Sequence, residues 1–291
     1  MRCLEKILSL VHTSGNVPSA LSVFHISFIL GVILLSFLLC RYFRNAGSLD
    51  FRLIILTMWI VMISLEIIKQ IFTPMSIVDG QITYSYQWVM FPFQLCSTPL
   101  YVLPLLALLP DGCVRDAMAA YTMTIGLIGG VAVYLVPRTV LNVTICQNYQ
   151  TMIHHGLQIV SGVYTAAYYR YKLKRSFYVK GISAFAIAVC IACLLNTVGY
   201  DMFVAMGIMA DGSAFNMFYI SPRVDQIVPV LNDVLKTFNP IVYILGYFIV
   251  LSALSAGVML SVKWICELSN GKYSGCMKRK ILDIMYFKRK E

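Results

Sequence analysis

Cys96 is the side chain best suited to covalent chemistry. It lies in Phe91-Pro92-Phe93-Gln94-Leu95-Cys96-Ser97-Thr98-Pro99, bracketed by two prolines. Proline donates no backbone hydrogen bond, so Pro99 leaves the carbonyl of Leu95 without its helical partner, one residue from the thiol. At membrane depth such broken backbone is tolerated where it faces protein or a wet cavity. A buried thiol needs a base before it becomes a nucleophile, and a histidine can supply one. His154 and His155 are the candidates. Adjacent helical residues point about 100° apart, so one of them faces a given site. His155 shares a face with Gln158 and Gly162 and is the first choice. Glu66 and Lys69 stand three apart and can pair on one helix face. In one reading they neutralise each other, with Lys69 reaching towards the interface. In the other, Lys69 holds an anionic group such as a lipid phosphate while Glu66 orients a histidine. His25, Gln94 and Asn196 complete the set as substrate-binding candidates, with Gln94 or Asn196 able to donate to an oxyanion. Two histidines plus Glu66 could bind a metal, but the tight i, i+4 histidine spacing is absent, and neither metal nor cofactor is expected.

These residues are carried by a chain whose composition excludes most soluble classes. Of 291 residues, 59% are hydrophobic and 12% charged, against roughly 45–50% and about 25% in soluble domains. Too few charges exist to cover a water-facing surface, so most of the chain has lipid as its solvent. The expected fold is an all-α polytopic bundle of seven membrane helices. Its spans are read as 21–42, 51–72, 89–109, 117–136, 151–169, 179–200 and 238–262, each about 20 residues for a core of roughly 30 Å. Residues 1–20 form an extracytoplasmic segment without the core of a cleaved signal peptide. Residues 263–291 form a basic cytoplasmic tail.

Basic residues fix the expected orientation. With the N-terminus outside, 17 Lys and Arg fall on inner segments and five on outer ones, Lys69 lying at a helix end. The positive-inside rule therefore gives N-out, C-in. The net charge of +10 is concentrated in these flanks, which argues for a membrane surface and against nucleic acid. The tail after Ser274 sets Lys278, Arg279, Lys280, Lys288, Arg289 and Lys290 around Ile281, Leu282, Ile284 and Met285. That pattern suits an amphipathic helix anchored on anionic lipid. In this topology His25, Glu66, Lys69, Cys96, His154, His155 and Asn196 all fall in the outer half, forming one polar layer from five helices. The segment 201–237 is the longest connection, and it reads either as an ordered loop or as a short interfacial or re-entrant helix over the bundle mouth.

Other motifs carry less. Cys190-x-x-Cys193 lies in an apolar helix without a second ligand pair, and Asn142-Val143-Thr144 is a glycosylation acceptor sequence on an outer loop. The ordered set His25, Glu66-x-x-Lys69, Pro92-Phe93-Gln94-Leu95-Cys96 and His155-Gly156-Leu157 resembles the YwaF-like family of multi-span membrane proteins. That family is similar to an animal transmembrane acyltransferase that remodels ether phospholipids. The resemblance implies that Cys96 and one of the paired histidines match the cysteine and histidine proposed for catalysis there. Position 94, often His in the bacterial pattern, is Gln here.

Three functional classes follow. A lipid acyltransferase of the cell membrane would use Cys96, activated by His155 or His154, to take an acyl chain from a phospholipid as a thioester. A transporter or receptor would use the same polar layer as a ligand or proton site. A scaffold, with the polar residues as glue between helices, is the third reading. The expected partners are membrane lipids.

Overall fold

The computed structural model describes residues 2–224 and 239–269. Local sequence accounts for most helix boundaries. Helix α1 spans Arg2–Val11 and α2 spans Val23–Tyr42. Ser22 caps α2, its hydroxyl accepting from the His25 N–H at 3.4 Å, which satisfies one of the donors a helix start leaves open. Helix α3, Ser48–Phe72, stops just before Pro74. Pro99 opens α4, Pro99–Leu108, at a position where its missing N–H costs nothing. Helix α5 covers Cys113–Leu135 and ends before Pro137. Helices α6, Ile145–Tyr168, and α7, Arg175–Ala205, follow. Pro240 begins α8, Pro240–Ser269, behind Asn239, whose side chain accepts from the Ile241 N–H.

Two expectations need correction. The chain is mostly helical but not all-α: β1, Met75–Val78, pairs antiparallel with β2, Gln81–Tyr84, Ser76 opposite Thr83. Asp79 and Gly80 join them at φ of 50° and 74°, the double left-handed backbone that tight hairpins require. Residues 89–109 are not one helix either. Before α4 the chain makes only short 3-10 turns at Trp88–Met90 and Leu95–Ser97. Pro92 pushes Phe91 into an extended conformation, and neither Pro92 nor Pro99 can donate to a preceding turn.

Helix α6 is the hub. Twelve of its 24 residues are buried, and it packs on α2, α3 and α5. Helices α5 and α7 cross closely, because a Cβ on Gly181 would sit 2.8 Å from Ala120 Cβ. One core cluster gathers Phe51, Ile55, Leu103 and Tyr164, and another Tyr121, Phe185, Phe215 and Phe218. Both α5 and α7 contain one π-helical turn, at Thr122–Gly126 and Leu195–Gly199.

Five helices among the described residues are long and apolar enough to cross a membrane: α2, α3, α5, α7 and α8. Their outward faces expose large apolar side chains, including Leu30 and Leu34 on α2, Ile187 and Leu194 on α7, and Ile249 and Leu254 on α8. Such a continuous apolar surface is stable in lipid and not in water. The chain is a multi-pass integral membrane protein.

The connection after α7 turns back into the bundle, with Met209, Phe215, Met217, Phe218 and Ile220 all buried. Its continuation, 225–238, lies outside the described residues, as does the basic tail from 270 onwards. Near the other terminus α1 is tied to the start of α6: the Gly15 N–H donates to the Val143 carbonyl at 2.8 Å and the Ile145 N–H to that of Thr13 at 3.1 Å.

Candidate polar site around Cys96

The segment before α4 is held by side chains in place of helical hydrogen bonds. The carbonyl of Leu95, which Pro99 cannot serve, accepts the Thr98 hydroxyl at 2.7 Å. Tyr121 Oη in turn donates to Thr98 Oγ1 at 2.9 Å. The freed acceptor is therefore already filled and does not serve the thiol. Cys96 itself is half-buried with a free thiol. Its backbone lies against α5 at Gly129, where an added Cβ would meet Gln158 Nε2 at 2.9 Å and Cys96 Cα at 3.8 Å. Glycine at 129 thus lets α6 and the Cys96 segment approach α5 together. Gln158 donates to the Gly126 carbonyl, in the π-helical turn of α5, at 2.8 Å.

Both paired histidines reach this layer. His154 Nε2 lies 3.2 Å from the Cys96 carbonyl oxygen, and His155 Nδ1 lies 2.7 Å from that of Thr151. A carbonyl only accepts, so each of these nitrogens carries the proton. In a neutral ring the lone pair then sits on His154 Nδ1 and on His155 Nε2. Both atoms are buried and without a protein partner. His154, not the favoured His155, is the ring bonded to residue 96, and the bond goes to its carbonyl. The two rings lie 5.4 Å apart.

Glu66 is 3% exposed and bound by its own helix. Its Oε1 accepts from Lys69 Nζ at 2.8 Å and from Gln70 Nε2 at 2.7 Å. Neither histidine is among these partners. Gln70 also donates to the Met90 carbonyl at 2.7 Å and accepts from Tyr86 Oη at 2.7 Å. The pair is thereby fastened to the irregular segment that carries Cys96. Burial, with Tyr84 and Glu66 nearby, pushes the Tyr86 phenol up to about 12. Lys69 lies within electrostatic reach of Cys96, His154 and His155. One of its three ammonium donors is taken by Glu66, which leaves two for a ligand.

Gln94 and Asn196 face the returning connection. Gln94 Nε2 donates to the Asn216 carbonyl at 2.8 Å, and its Oε1 accepts the Phe218 N–H at 3.0 Å. Asn196 Nδ2 donates to the Met217 carbonyl at 2.9 Å, and its Oδ1 accepts the Met217 N–H at 2.7 Å. Two buried amides thus grip residues 216–218, where Phe218 and Tyr219 both adopt positive φ. That left-handed pair is unfavourable for bulky side chains and persists because four hydrogen bonds over-determine it. His25 packs beside Tyr134, at 5.9 Å between ring centres. Its Nδ1 accepts the Leu21 N–H at 3.1 Å, which puts the proton on a buried, unpartnered Nε2.

The structure therefore joins Cys96, His154, His155, Glu66 and Lys69 in one layer, with Gln94 and Asn196 holding its cover and His25 at its edge. Gln70, Thr98 and Tyr121 escaped the sequence reading. Gln70 had a signal, one turn after Glu66, and so did Thr98, a hydroxyl just before the proline whose donor is missing. Nothing local marked Tyr121. Among the described residues no group of three His, Cys, Asp or Glu side chains could hold a metal ion. The Asn142 amide of the acceptor sequence is engaged within the protein, donating to Gln147 Oε1 at 2.7 Å.

No curated protein and no solved structure matches the chain. The model of the TMEM164 family matches residues 18–260. A match over that span takes in every element from the start of α2 to most of α8, and the chain belongs to the TMEM164 family.

Proposed function

We propose that this protein is a phospholipid acyltransferase of the cell membrane with seven traverses, N-out and C-in. The two traverses beyond the five apolar helices are α6, long enough but buried and polar, and α4 with the irregular segment before it. The polar layer then opens towards the outer leaflet. Cys96 loses its proton to His154 or His155, and the sulfur attacks the carbonyl carbon of a glycerolipid ester. The ester C–O bond breaks, the leaving alkoxide takes the proton back from the imidazolium, and a thioester remains. An acceptor hydroxyl or amine, deprotonated by the same ring, attacks the thioester, and the departing thiolate is reprotonated. Lys69, steadied by Glu66, holds the lipid phosphate. Gln94 and Asn196 hold the segment that covers the substrate, and His25 offers a free donor at the rim of the layer.

The observation that carries the reading is the pair of orphaned, buried nitrogens of two adjacent histidines, one of which, His154, bonds the Cys96 carbonyl on broken backbone. Buried polar atoms without partners are rare and point to a function or an absent ligand. The resemblance to YwaF-like proteins and their animal acyltransferase relative supports the same residues. The test is to incubate purified protein with phospholipid bearing a labelled acyl chain and to look for a hydroxylamine-labile adduct. The adduct is expected on wild type, absent in Cys96→Ser and strongly reduced in whichever of His154→Ala and His155→Ala removes the base. No adduct with any lipid class after acid trapping, or an adduct that survives Cys96→Ser, overturns the reading in favour of ligand binding or transport.

A further inference from the structure

The end of the bundle opposite Cys96 carries a groove that the acyl-transfer chemistry does not use. It has a volume of about 600 Å³, within the roughly 300–1,000 Å³ of small-molecule sites. Helix α6 forms its floor with Val163, Ala166 and Ala167, while α2 and α8 form its walls at Cys40 and Ile265. Small side chains on α6 keep this floor low between two taller helices. Arg44 and Arg170 stand at its mouth. A second cleft of about 460 Å³ adjoins there, sharing Arg44, Asn45 and Tyr171 with the groove.

The charge at this mouth is uncompensated. Arg170 donates to the carbonyls of Arg44 at 2.8 Å and Ala167 at 2.7 Å, and to the Asn45 side chain. The Tyr171 hydroxyl takes the last amino N–H, and since all of these are neutral acceptors the guanidinium keeps its full charge. Arg44 meets no carboxylate within ion-pair distance among the described residues. Asp111, the carboxylate lining the second cleft, is bound to Arg115. Lys172 shares Asp116 with Lys180. Tyr42 and Tyr171 project from the same level, 68% and 75% exposed, as tyrosines do at the boundary of a membrane.

From these features we infer a second lipid site, separate from Cys96, that holds an anionic phospholipid. Its phosphate is held by Arg44 beside the charge of Arg170, which has its Nε–H left to donate, and one acyl chain lies along α6 between α2 and α8. The lipid is anionic and not zwitterionic because the groove's lining holds two cations outside any ion pair and no carboxylate, Glu267 lying one residue beyond it after Cys266. The inference does not depend on acyl transfer, and the Cys96→Ser protein should bind equally well.

The experiment uses the full chain in nanodiscs, with phosphatidylglycerol carrying a photoreactive group in one acyl chain, followed by peptide mapping. Labelling is expected on peptides containing residues 163–171 and 262–266. Unlabelled phosphatidylglycerol should displace it, and phosphatidylcholine or soluble glycerol phosphate should not. Removing one cation at a membrane surface is expected to weaken binding about fivefold, so Arg44→Gln should reduce labelling by that factor while Arg44→Lys largely retains it. Ala167→Phe, which fills the floor and leaves the charge, should abolish labelling of the 163–171 peptide in protein that stays monodisperse. Unchanged labelling in Arg44→Gln, or equal competition by phosphatidylcholine, overturns the site as an anionic one. Displacement by glycerol phosphate alone overturns the lipid and leaves a free phosphate site.

Discussion

Replacing Asn196 with Ala tests whether the returning connection is held as described. Asn196 is 1% exposed and Met217 is fully buried, so the Met217 N–H would lose its partner with no water to replace it, and the carbonyl would keep only the Ile220 N–H at 3.3 Å. Each unsatisfied buried group costs about 1–3 kcal/mol. In membranes the measured cost of a lost interhelical hydrogen bond averages about 0.6 and reaches about 1.7 kcal/mol, because the unfolded chain finds other partners. Two bonds at 2.7 and 2.9 Å therefore give an expected loss of about 1–4 kcal/mol. The assay is thermal unfolding in detergent, read with hydrogen exchange over residues 209–221. Exchange should rise in that segment before the remainder of the bundle loosens. Gln94→Ala should act on the same segment through Asn216 and Phe218, and the double variant should cost less than the sum of the two, since one release frees the same loop. A loss under about 0.5 kcal/mol, or strict additivity with unchanged exchange, would refute the account of Gln94 and Asn196 as joint anchors.

Other expectations concern the helix crossings and the charged pair. Gly181→Ala should destabilise by about 1–3 kcal/mol through overpacking, because its Cβ would lie 2.8 Å from that of Ala120; Ala120→Gly should restore part of the loss in a double-variant melt. Glu66→Gln should cost about 1–3 kcal/mol, below the 3–5 of a fully buried pair, since the Lys69 side chain is 21% exposed. Restoration by Glu66→Gln/Lys69→Met, followed in the same melt, would check that the unpaired cation is the cause. Tyr86 binds its proton more tightly when folded, so its contribution to stability is complete below pH 10 and is lost as pH rises towards 12. Wild type minus Tyr86→Phe, measured by unfolding at pH 9 and pH 11, should show that decline.

The sequence made the apolar helices legible because a bilayer demands about 20 apolar residues wherever the backbone must hide its own polar groups. It also made legible that Cys96 sits on broken backbone and that the polar residues gather at one end. Three things were not readable at that level. The extent of the break before α4 depends on Gln70, Thr98 and Tyr121 replacing backbone hydrogen bonds from a distance. The hairpin did carry a signal, Asp79-Gly80 between Ile77-Val78 and Gln81-Ile82, which the dominant apolar helices on both sides overshadow. Which histidine meets Cys96 turns on about 100° of helical rotation, beyond what periodicity distinguishes. Asn196 and Gln94 looked like ligand donors because a buried amide reads the same whether its partner is a substrate or a loop.

The π-helical turns of α5 and α7 set the phase between the two halves of the protein. A π turn accommodates one residue more than the surrounding helix, so everything beyond it is rotated by about 100° relative to an unbroken helix. In α5 the residues before Thr122, including Ala120, serve the contact with Gly181 on α7, while Gly129 beyond the turn serves Cys96 and α6. Deleting one residue within Thr122–Gly126 would leave the first contact in register and carry Gly129 away from the Cys96 backbone. The α5–α7 crossing and the Cys96 site are thus indexed separately, and a single-residue deletion there should be far more damaging to function than most substitutions at the same positions.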